Sequence, residues 1–419
     1  MMDHQGRTDS IFAINLPIGT IPFVLAAIFV AAIVSIPPAQ AQTITVLHSF
    51  TAHGDGSTPI GGVTLDRAGN LYGTTNGDES GSPSTVFKMS HAGSGWILNT
   101  LYTFNHPNDA TDVYAGVVFG PDGALYGTSY AGGQNSLGAV FALQPPATAC
   151  KSASCPWTST TLYSFEYGND GIHPDLGNLV FDSAGNIYGT TYSGGTYVRG
   201  TVFKLARSGN GWTESLLYSF TGGSDGDFPY NGVAFDSAGN LYGTTSEGGS
   251  YGYGTVYELS PSGSGWTETT LYSFTGGDDG VNPIGSVAID APGNLYGTAS
   301  SGGSGGVGTA WELSPSNGGW AFTLLHSFSG RTYPGPSATP TLDAAGNIYG
   351  TSTYTGEGFG EAFKLTSTGD GWTYTSYDFD GSNAHAPSCS VALDANGNLY
   401  GTALLGGTED WGVVWEITP

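Results

Sequence analysis

Four histidines lie in corresponding loops of the sequence and are the strongest candidates for catalysis. His53, His106, His173 and His385 each follow, by two to eight residues, the phenylalanine of a recurring Leu-Tyr-Ser-Phe-like run. Histidine is the commonest metal ligand and the natural general base near neutral pH. Their offsets from that phenylalanine differ, so they do not form one repeated ring. Two interpretations stay open: a shared metal or catalytic site, and scattered loop histidines.

An aspartate recurs five residues after the same phenylalanine in five of the seven runs. These residues are Asp55, Asp109, Asp170, Asp225 and Asp279. One interpretation is an acidic arc that binds a polar ligand or a cation such as calcium. The other is turn chemistry, because glycine follows four of the five and an Asp-Gly pair often caps its own turn. The sequence contains no calcium-binding loop of the EF-hand type.

Glycine-rich loops of the sequence carry tyrosines at Tyr130, Tyr192, Tyr197, Tyr251, Tyr253 and Tyr354. Tyrosine offers flat, amphipathic contact area at low entropic cost, which suits a glycan or a peptide. The alternative is that these rings cover the edges of sheets. No Gly-x-Ser-x-Gly, His-Glu-x-x-His or phosphate-loop motif occurs, so no known catalytic motif assigns a reaction.

The cysteines indicate at most one local disulfide. Cys150 and Cys155 lie in one loop, where an oxidising compartment would permit a bond between them. Cys389 lies in a strand-like run and is expected to be a small buried residue. The sequence has no Cys-x-x-Cys pair, so we exclude a thiolate zinc site.

The net charge of the chain limits the classes of molecule that it is expected to bind. The chain of 419 residues has 9 basic and 34 acidic residues, and a net charge of −25. Phosphate binding requires a basic surface, so we expect no nucleic-acid partner. An anionic membrane surface is disfavoured for the same reason. An extracellular glycan, a protein or a cation fits this charge better.

The N-terminal residues 1–41 have the pattern of a signal peptide. An apolar stretch, Ile21–Ile36, precedes the small-x-small sequence Ala39-Gln40-Ala41. We expect cleavage after Ala41, followed by release into the extracellular space or the periplasm without further membrane attachment. The alternative is an uncleaved membrane anchor, since the stretch is near the lower length limit for spanning a bilayer.

One unit occurs seven times in the rest of the sequence. The tetrapeptide Leu/Ile-Tyr-Gly-Thr begins at Leu71, Leu125, Ile187, Leu241, Leu295, Ile348 and Leu399. Each unit predicts four short strands: strand A before an Asp-x-x-Gly-Asn turn, strand B with the tetrapeptide, strand C with a Val-aromatic pair, and strand D ending in the Leu-Tyr-Ser-Phe-like run. Four strands in about 54 residues is the size of a propeller blade.

The last copy of strand D stands at the wrong end of the chain. The C-terminal unit lacks it, and residues 43–50 (TITVLHSF) supply it directly after the signal peptide. A linear stack has no reason to begin with the last strand of its unit, whereas a closed ring does. We therefore predict an all-β, seven-bladed propeller of four antiparallel strands per blade, as one monomeric domain over residues 43–419. The predicted blades cover residues 51–104, 105–165, 166–220, 221–274, 275–328, 329–379, and 380–419 with 43–50.

The repeat Asp-x-x-Gly-Asn-Leu-Tyr-Gly-Thr-Thr, followed by Gly-Thr-Val-Phe and Leu-Tyr-Ser-Phe, resembles the GloVer (Gloeo/Verruco) tandem-repeat family of secreted bacterial proteins. The segment of strands A and B is more loosely similar to NHL-type propeller repeats. This resemblance covers nearly the whole chain after the signal peptide and implies an exported repeat protein. It carries over no catalytic residue.

Fold analogy places ligands on the face that the D–A and B–C loops share. Our first hypothesis is a secreted binding or scaffold propeller that holds a glycan, protein or cation on this face. The alternative is an extracellular hydrolase or lyase acting on a polysaccharide or a lactone, through a His/Asp cluster on the same face. A structural surface-layer role is the third hypothesis.

Overall fold

The alternating polar and apolar residues of each repeat form short antiparallel strands. The structure, a computed structural model, describes residues 43–77, 81–106, 108–146, 157–209, 211–330, 334–354, 358–369 and 371–418. The predicted signal peptide and the predicted Cys150–Cys155 disulfide lie outside the described residues. Within the described part of the chain, no helix has the length and apolar character needed to cross a membrane.

The first three blades begin after β1 (Thr43–Ser49). Blade 1 contains β2 (Val63–Leu65), β3 (Leu71–Thr75), β4 (Thr85–Ala92) and β5 (Gly95–Thr103). Blade 2 contains β7 (Val118–Phe119), β8 (Leu125–Ser129), β10 (Ala139–Gln144) and β11 (Thr158–Ser164), with a small sheet of β6 (Ala110–Thr111) and β9 (Ala131–Gly132). Blade 3 contains β13 (Val180–Phe181), β14 (Ile187–Thr191), β16 (Thr201–Ser208) and β17 (Gly211–Ser219), with a small sheet of β12 (Gly171–Ile172) and β15 (Ser193–Gly194).

The remaining blades repeat the same order of strands. Blade 4 contains β18 (Ala234–Phe235), β19 (Leu241–Thr245), β20 (Thr255–Ser262) and β21 (Gly265–Ser273). Blade 5 contains β22 (Ala288–Ile289), β23 (Leu295–Ala299), β24 (Gly306–Ser316) and β25 (Gly319–Ser329). Blade 6 contains β26 (Thr341–Leu342), β27 (Ile348–Ser352), β28 (Glu361–Ser367) and β29 (Trp372–Asp378). Blade 7 contains β30 (Ala392–Leu393), β31 (Leu399–Ala403) and β32 (Val413–Thr418), and β1 completes it.

The predicted seven-bladed propeller is confirmed, including its closure by the N-terminal strand. β1 pairs antiparallel with β32, with Thr43 opposite Thr418 and Ser49 opposite Val413. A shared apolar cluster joins the two ends, because Phe50 and Val414 of blade 7 pack with Phe87 of blade 1. Closure therefore leaves the last blade with the same four strands as the others.

The core consists of aromatic layers between neighbouring blades. All seven phenylalanines that end strand D are buried: Phe50, Phe104, Phe165, Phe220, Phe274, Phe328 and Phe379. The glycine of the tetrapeptide faces the aromatic residue of strand C; a Cβ at Gly297 would lie 2.1 Å from the Trp311 ring. This close approach explains why glycine stands in the middle of a buried strand.

Candidate functional site

The D–A and B–C loops join on one face through a repeated pair of backbone hydrogen bonds. In blade 3, for example, the Tyr192 amide donates to the His173 carbonyl, and the His173 amide donates to Leu137 of the preceding blade. The D–A residue at this place has a positive φ in six blades: Thr58, Asp112, His173, Phe228, Asn282 and Ala386. Bulky residues rarely adopt this conformation, which costs on the order of 1–3 kcal/mol and marks functional sites in other proteins.

The passage along the propeller axis narrows to a small cavity of about 20 Å³. Its lining comes from six blades, including Ile60, Tyr114, Leu176, Asn231 and Ser388. A cavity of this volume has room for about one water molecule. An organic ligand is therefore too large for this cavity and would bind on the loop face beside it. We call the surface there the channel mouth, formed by Tyr114, Tyr130, His173, Asp175, Tyr192 and Tyr230.

A first aromatic cluster covers the blade 2 side of the channel mouth. The rings of Tyr130 and His173 stack with their centroids 4.4 Å apart, and Tyr114 meets Tyr130 edge-on at 5.5 Å. His173 Nδ1 lies 2.8 Å from the Tyr130 carbonyl oxygen, so this nitrogen carries the proton and donates. The bond fixes the imidazole against the tyrosine ring.

A second aromatic cluster covers the blade 4 side. Tyr192 stacks on Phe228 at 4.8 Å and meets Tyr230 at 4.6 Å. The Arg199 guanidinium lies 5.6 Å from the Phe228 ring centre, and its Nη1 bonds the Asp227 carboxylate at 2.7 Å. Arg199, the basic group in these contacts, is thus already paired with the acidic Asp227.

Asp175 lies between the two clusters. Its side chain is half-buried, and among the described residues none donates a hydrogen bond to its carboxylate or forms an ion pair with it. Burial raises its pKa to about 7. Burial is also the largest cause of the raised pKa values of Tyr114, Tyr130 and Tyr230, and the charge of Asp175 contributes at all three. Asp175 follows His173 of the first cluster by two residues, and the amide of the next residue, Leu176, donates to the carbonyl of Tyr230 in the second cluster at 3.1 Å. Within the described chain, its carboxyl group has no partner of opposite charge.

The repeat symmetry is broken at the channel mouth. The residues that directly follow strand B are Asn76, Tyr130, Tyr192, Ser246, Ser300, Thr353 and Leu404. The preceding strands are nearly identical in sequence, whereas these residues range from serine to tyrosine. Since the scaffold does not need this variety, the aromatic side chains of three neighbouring blades indicate a function that is specific to blades 2–4.

A cavity of about 780 Å³ adjoins the channel mouth between blades 7, 1 and 2. Ile60, Leu404 and Trp411 give it an apolar wall, and Asn76 and Asp112 give it polar groups. Tyr114 belongs to both the cavity and the channel mouth. Ligand pockets in proteins commonly measure about 300–1,000 Å³ and combine apolar walls with a few polar groups.

The five predicted loop aspartates are engaged in turns of the protein. Each accepts a hydrogen bond from the ring residue seven positions earlier: Asp55 from His48, Asp109 from Tyr102, Asp170 from Tyr163, Asp225 from Tyr218 and Asp279 from Tyr272. Each also accepts a backbone amide, such as Thr275 N to Asp279 at 2.7 Å. These contacts are those of the turn-chemistry interpretation.

The four predicted histidines have different surroundings. His53 and His106 are exposed in outer parts of their loops. His173 belongs to the channel mouth, and His385 packs edge-on against Tyr354 and Phe359. Across the described ranges, no group of three or more His, Cys, Asp or Glu side chains is arranged to hold a metal ion.

The three tyrosines proposed for ligand contact lie on the outer rim of the same face. Tyr197, Tyr251 and Tyr253 are 55%, 60% and 42% exposed. Tyr130 and Tyr192, in the same class of loop, instead belong to the channel mouth, together with Tyr114, Asp175 and Tyr230, which the sequence interpretation missed. One signal was available: the D–A loop of blade 3 is one residue longer than in blades 1, 4 and 5, and Asp175 is the additional residue after the loop proline.

Comparison with known proteins agrees with the repeat pattern. The model of the Gloeobacter/Verrucomicrobia repeat matches residues 30–213, 175–357 and 290–419. No curated protein matches the sequence significantly. A Thermus thermophilus structure provisionally named oxidoreductase (glucose dehydrogenase) shares 15% identity and a TM-score of 0.41, over 72% of this chain and 95% of its own. A structure provisionally named gluconolactonase shares 14% identity and a TM-score of 0.40, over 91% and 92%.

Proposed function

We propose, from the premise that the chain belongs to the Gloeobacter/Verrucomicrobia repeat family, that it is a secreted binding propeller that holds a saccharide at its channel mouth. The observation that carries the proposal is the group of aromatic side chains on blades 2–4 of an otherwise repetitive ring. Tyr130 and Tyr192 stand where other blades have serine, threonine, asparagine or leucine. The N-terminal signal pattern supports a place of action outside the cytoplasm.

A saccharide fits the chemistry of this surface. Sugar rings present apolar C–H faces and polar edges, and the channel mouth offers ring faces beside hydroxyl and amide groups such as those of Tyr114 and Asn76. The adjoining cavity of about 780 Å³ has room for further sugar units. Arg199, beside the second cluster, is paired with Asp227 and is therefore not free to select a phosphate or a carboxylate.

A glycan array followed by calorimetry tests the proposal. We expect one class of neutral or amine-bearing oligosaccharide to bind, and Tyr130→Ala to weaken binding about tenfold or more, because a stacked aromatic contributes about 1–3 kcal/mol. The matched control is Tyr251→Ala on the rim, which should change affinity less than about twofold. If Tyr251→Ala is the damaging variant, the ligand binds at the rim; if no saccharide binds, the proposal is wrong.

A second candidate is an acid–base enzyme that cleaves a polysaccharide at the same surface. One observation favours it: a carboxyl group with a pKa raised to about 7 by burial lies two residues from His173, and such a group can give or take a proton near neutral pH. Product release from polysaccharides, abolished by Asp175→Asn, would support this activity. If the wild type binds the polysaccharide without cleaving it, the enzyme hypothesis is wrong and only the binding function is supported.

A further inference from the structure

The carboxylate of Asp175 has no hydrogen-bond donor and no ion-pair partner among the described residues. A half-buried, ionised carboxylate is costly unless it is hydrogen-bonded or neutralised. Two basic side chains at the aromatic clusters have other partners: Arg199 bonds Asp227 at 2.7 Å, and His173 donates Nδ1 to the Tyr130 carbonyl at 2.8 Å. A ligand that displaces solvent from this half-buried carboxylate therefore has to supply a hydrogen-bond donor or a positive charge in its place.

The surrounding rings narrow the chemistry of that partner. Asp175 lies in the chain between His173, whose ring stacks on Tyr130, and Leu176, whose amide donates to the Tyr230 carbonyl at 3.1 Å. Its charge also raises the pKa values of Tyr114, Tyr130 and Tyr230 further, after burial. The negative face of an aromatic ring attracts an ammonium group, and a neighbouring carboxylate adds a charge-assisted hydrogen bond. A calcium ion would instead need six to eight oxygen ligands, and the described residues offer no such group.

We propose that Asp175, between the tyrosines of the channel mouth, is a recognition site for a protonated primary amine, and that the saccharide bound there contains an amino sugar. This inference rests on the proposed saccharide-binding function and names the substrate class for it. The net charge of −25 favours the approach of a cationic glycan. A neutral sugar would leave the carboxylate without a counter-charge.

The test compares two oligosaccharides that differ only in the amine. Calorimetry on the purified full-length protein at about pH 7.5 uses a glucosamine tetrasaccharide and its fully N-acetylated form. We expect the amine form to bind about tenfold more tightly than the acetylated form. In Asp175→Asn this preference should disappear, so that the two forms bind with affinities within about twofold of each other.

A matched control separates local from general electrostatics. Asp278 is an exposed aspartate in the D–A loop of blade 5, on the same face. Asp278→Asn removes the same charge and should keep the preference for the amine. If Asp278→Asn and Asp175→Asn reduce the preference equally, the amine is attracted by net charge alone and the inference is wrong. Thermal melting of both variants verifies that they are folded.

The outcomes distinguish this inference from the function on which it rests. If the acetylated tetrasaccharide binds, Tyr130→Ala weakens it, and the amine gives no advantage, then the saccharide function stands and the amine site is wrong. If neither tetrasaccharide binds the wild type, both proposals lose their support. A lysine-containing peptide that binds more tightly than the amino sugar, with the same dependence on Asp175, would overturn the assignment to a saccharide.

Discussion

Tyrosine–aspartate pairs hold both ends of the blades. On one face the tetrapeptide tyrosine donates to the aspartate of the A–B turn, as Tyr188 does to Asp182 at 3.0 Å. On the other face the strand D tyrosine donates to the D–A loop, as Tyr163 does to Asp170 at 2.8 Å. Both pairs have fixed spacings in the sequence, so they act as repeated clamps on the turns.

We expect Tyr188→Phe to lower the free energy of unfolding by about 1 kcal/mol, because it removes one hydrogen bond and keeps the buried ring. Burial opposes ionisation of Asp182, but bonds from Asn186 and Tyr188 outweigh it and lower its pKa; that pKa should therefore rise in the variant. Urea unfolding measures the first effect, and NMR titration measures the second. Tyr167→Phe is the control, because Tyr167 is 80% exposed; equal losses in both variants would contradict the clamp.

Among the secondary-structure elements, the strand that closes the ring is the one with the least usual position in the sequence. β1 does not pair with the strand that follows it in sequence. It pairs with β32, at the far end of the described chain. Its bulge between Val46 and His48 corresponds to a bulge in the outer pair of other blades, such as that between Val202 and Phe203. The N-terminal strand therefore copies the local geometry of an ordinary strand D.

A disulfide across the closure tests this pairing. Thr43 and Thr418 are opposite each other in the register and exposed. We expect Thr43→Cys with Thr418→Cys to form a bond and to stabilise the protein by about 2–5 kcal/mol, because it constrains almost the whole unfolded chain. Thermal unfolding with and without a reducing agent measures the gain. If no cross-link forms between the two positions, the closure register is wrong.

For the whole molecule, the dependence of stability on pH is set by two groups of carboxyl side chains, one with raised and one with lowered pKa values. Burial raises the pKa of Asp175, Glu214 and Glu268 to about 7. At Glu214 the negative charge of Asp170 is a second cause of the raised pKa. These groups bind protons more tightly in the folded state, so their protonation stabilises the fold as pH falls through about 7. The turn aspartates have lowered pKa values, because hydrogen bonds outweigh burial: Asp66, Asp182, Asp236 and Asp343. Their contribution is lost as pH falls below about 4.

We therefore expect the melting temperature to rise from about pH 8 to about pH 5 and to fall again below about pH 4. Fluorescence-monitored melting at constant ionic strength measures this profile. The combined variant Asp175→Asn, Glu214→Gln and Glu268→Gln should flatten the limb between pH 5 and 8, whereas Asp278→Asn should not. A melting temperature that increases steadily up to pH 8 would contradict this account.

The sequence by itself determined the fold of this protein. Strand order, turn chemistry and closure all follow from local patterns that recur seven times, and the displaced strand Thr43–Ser49 is enough to indicate a closed ring. These features are predictable because each depends on residues within one blade or on the missing strand of the last one. Local sequence also indicated a role in turns for Asp225 and Asp279, because a glycine follows each of them.

Only the tertiary structure decided which loops meet. Tyr114, Asp175 and Tyr230 come from three different blades, and nothing in their spacing relates one to another; the ring places them around one axis. The additional residue at Asp175 is visible in the sequence, but its position between two aromatic clusters is not. The physical reason is that a repeat pattern encodes contacts along the chain, whereas the channel mouth is built from side chains that depart from the repeat and converge only through closure.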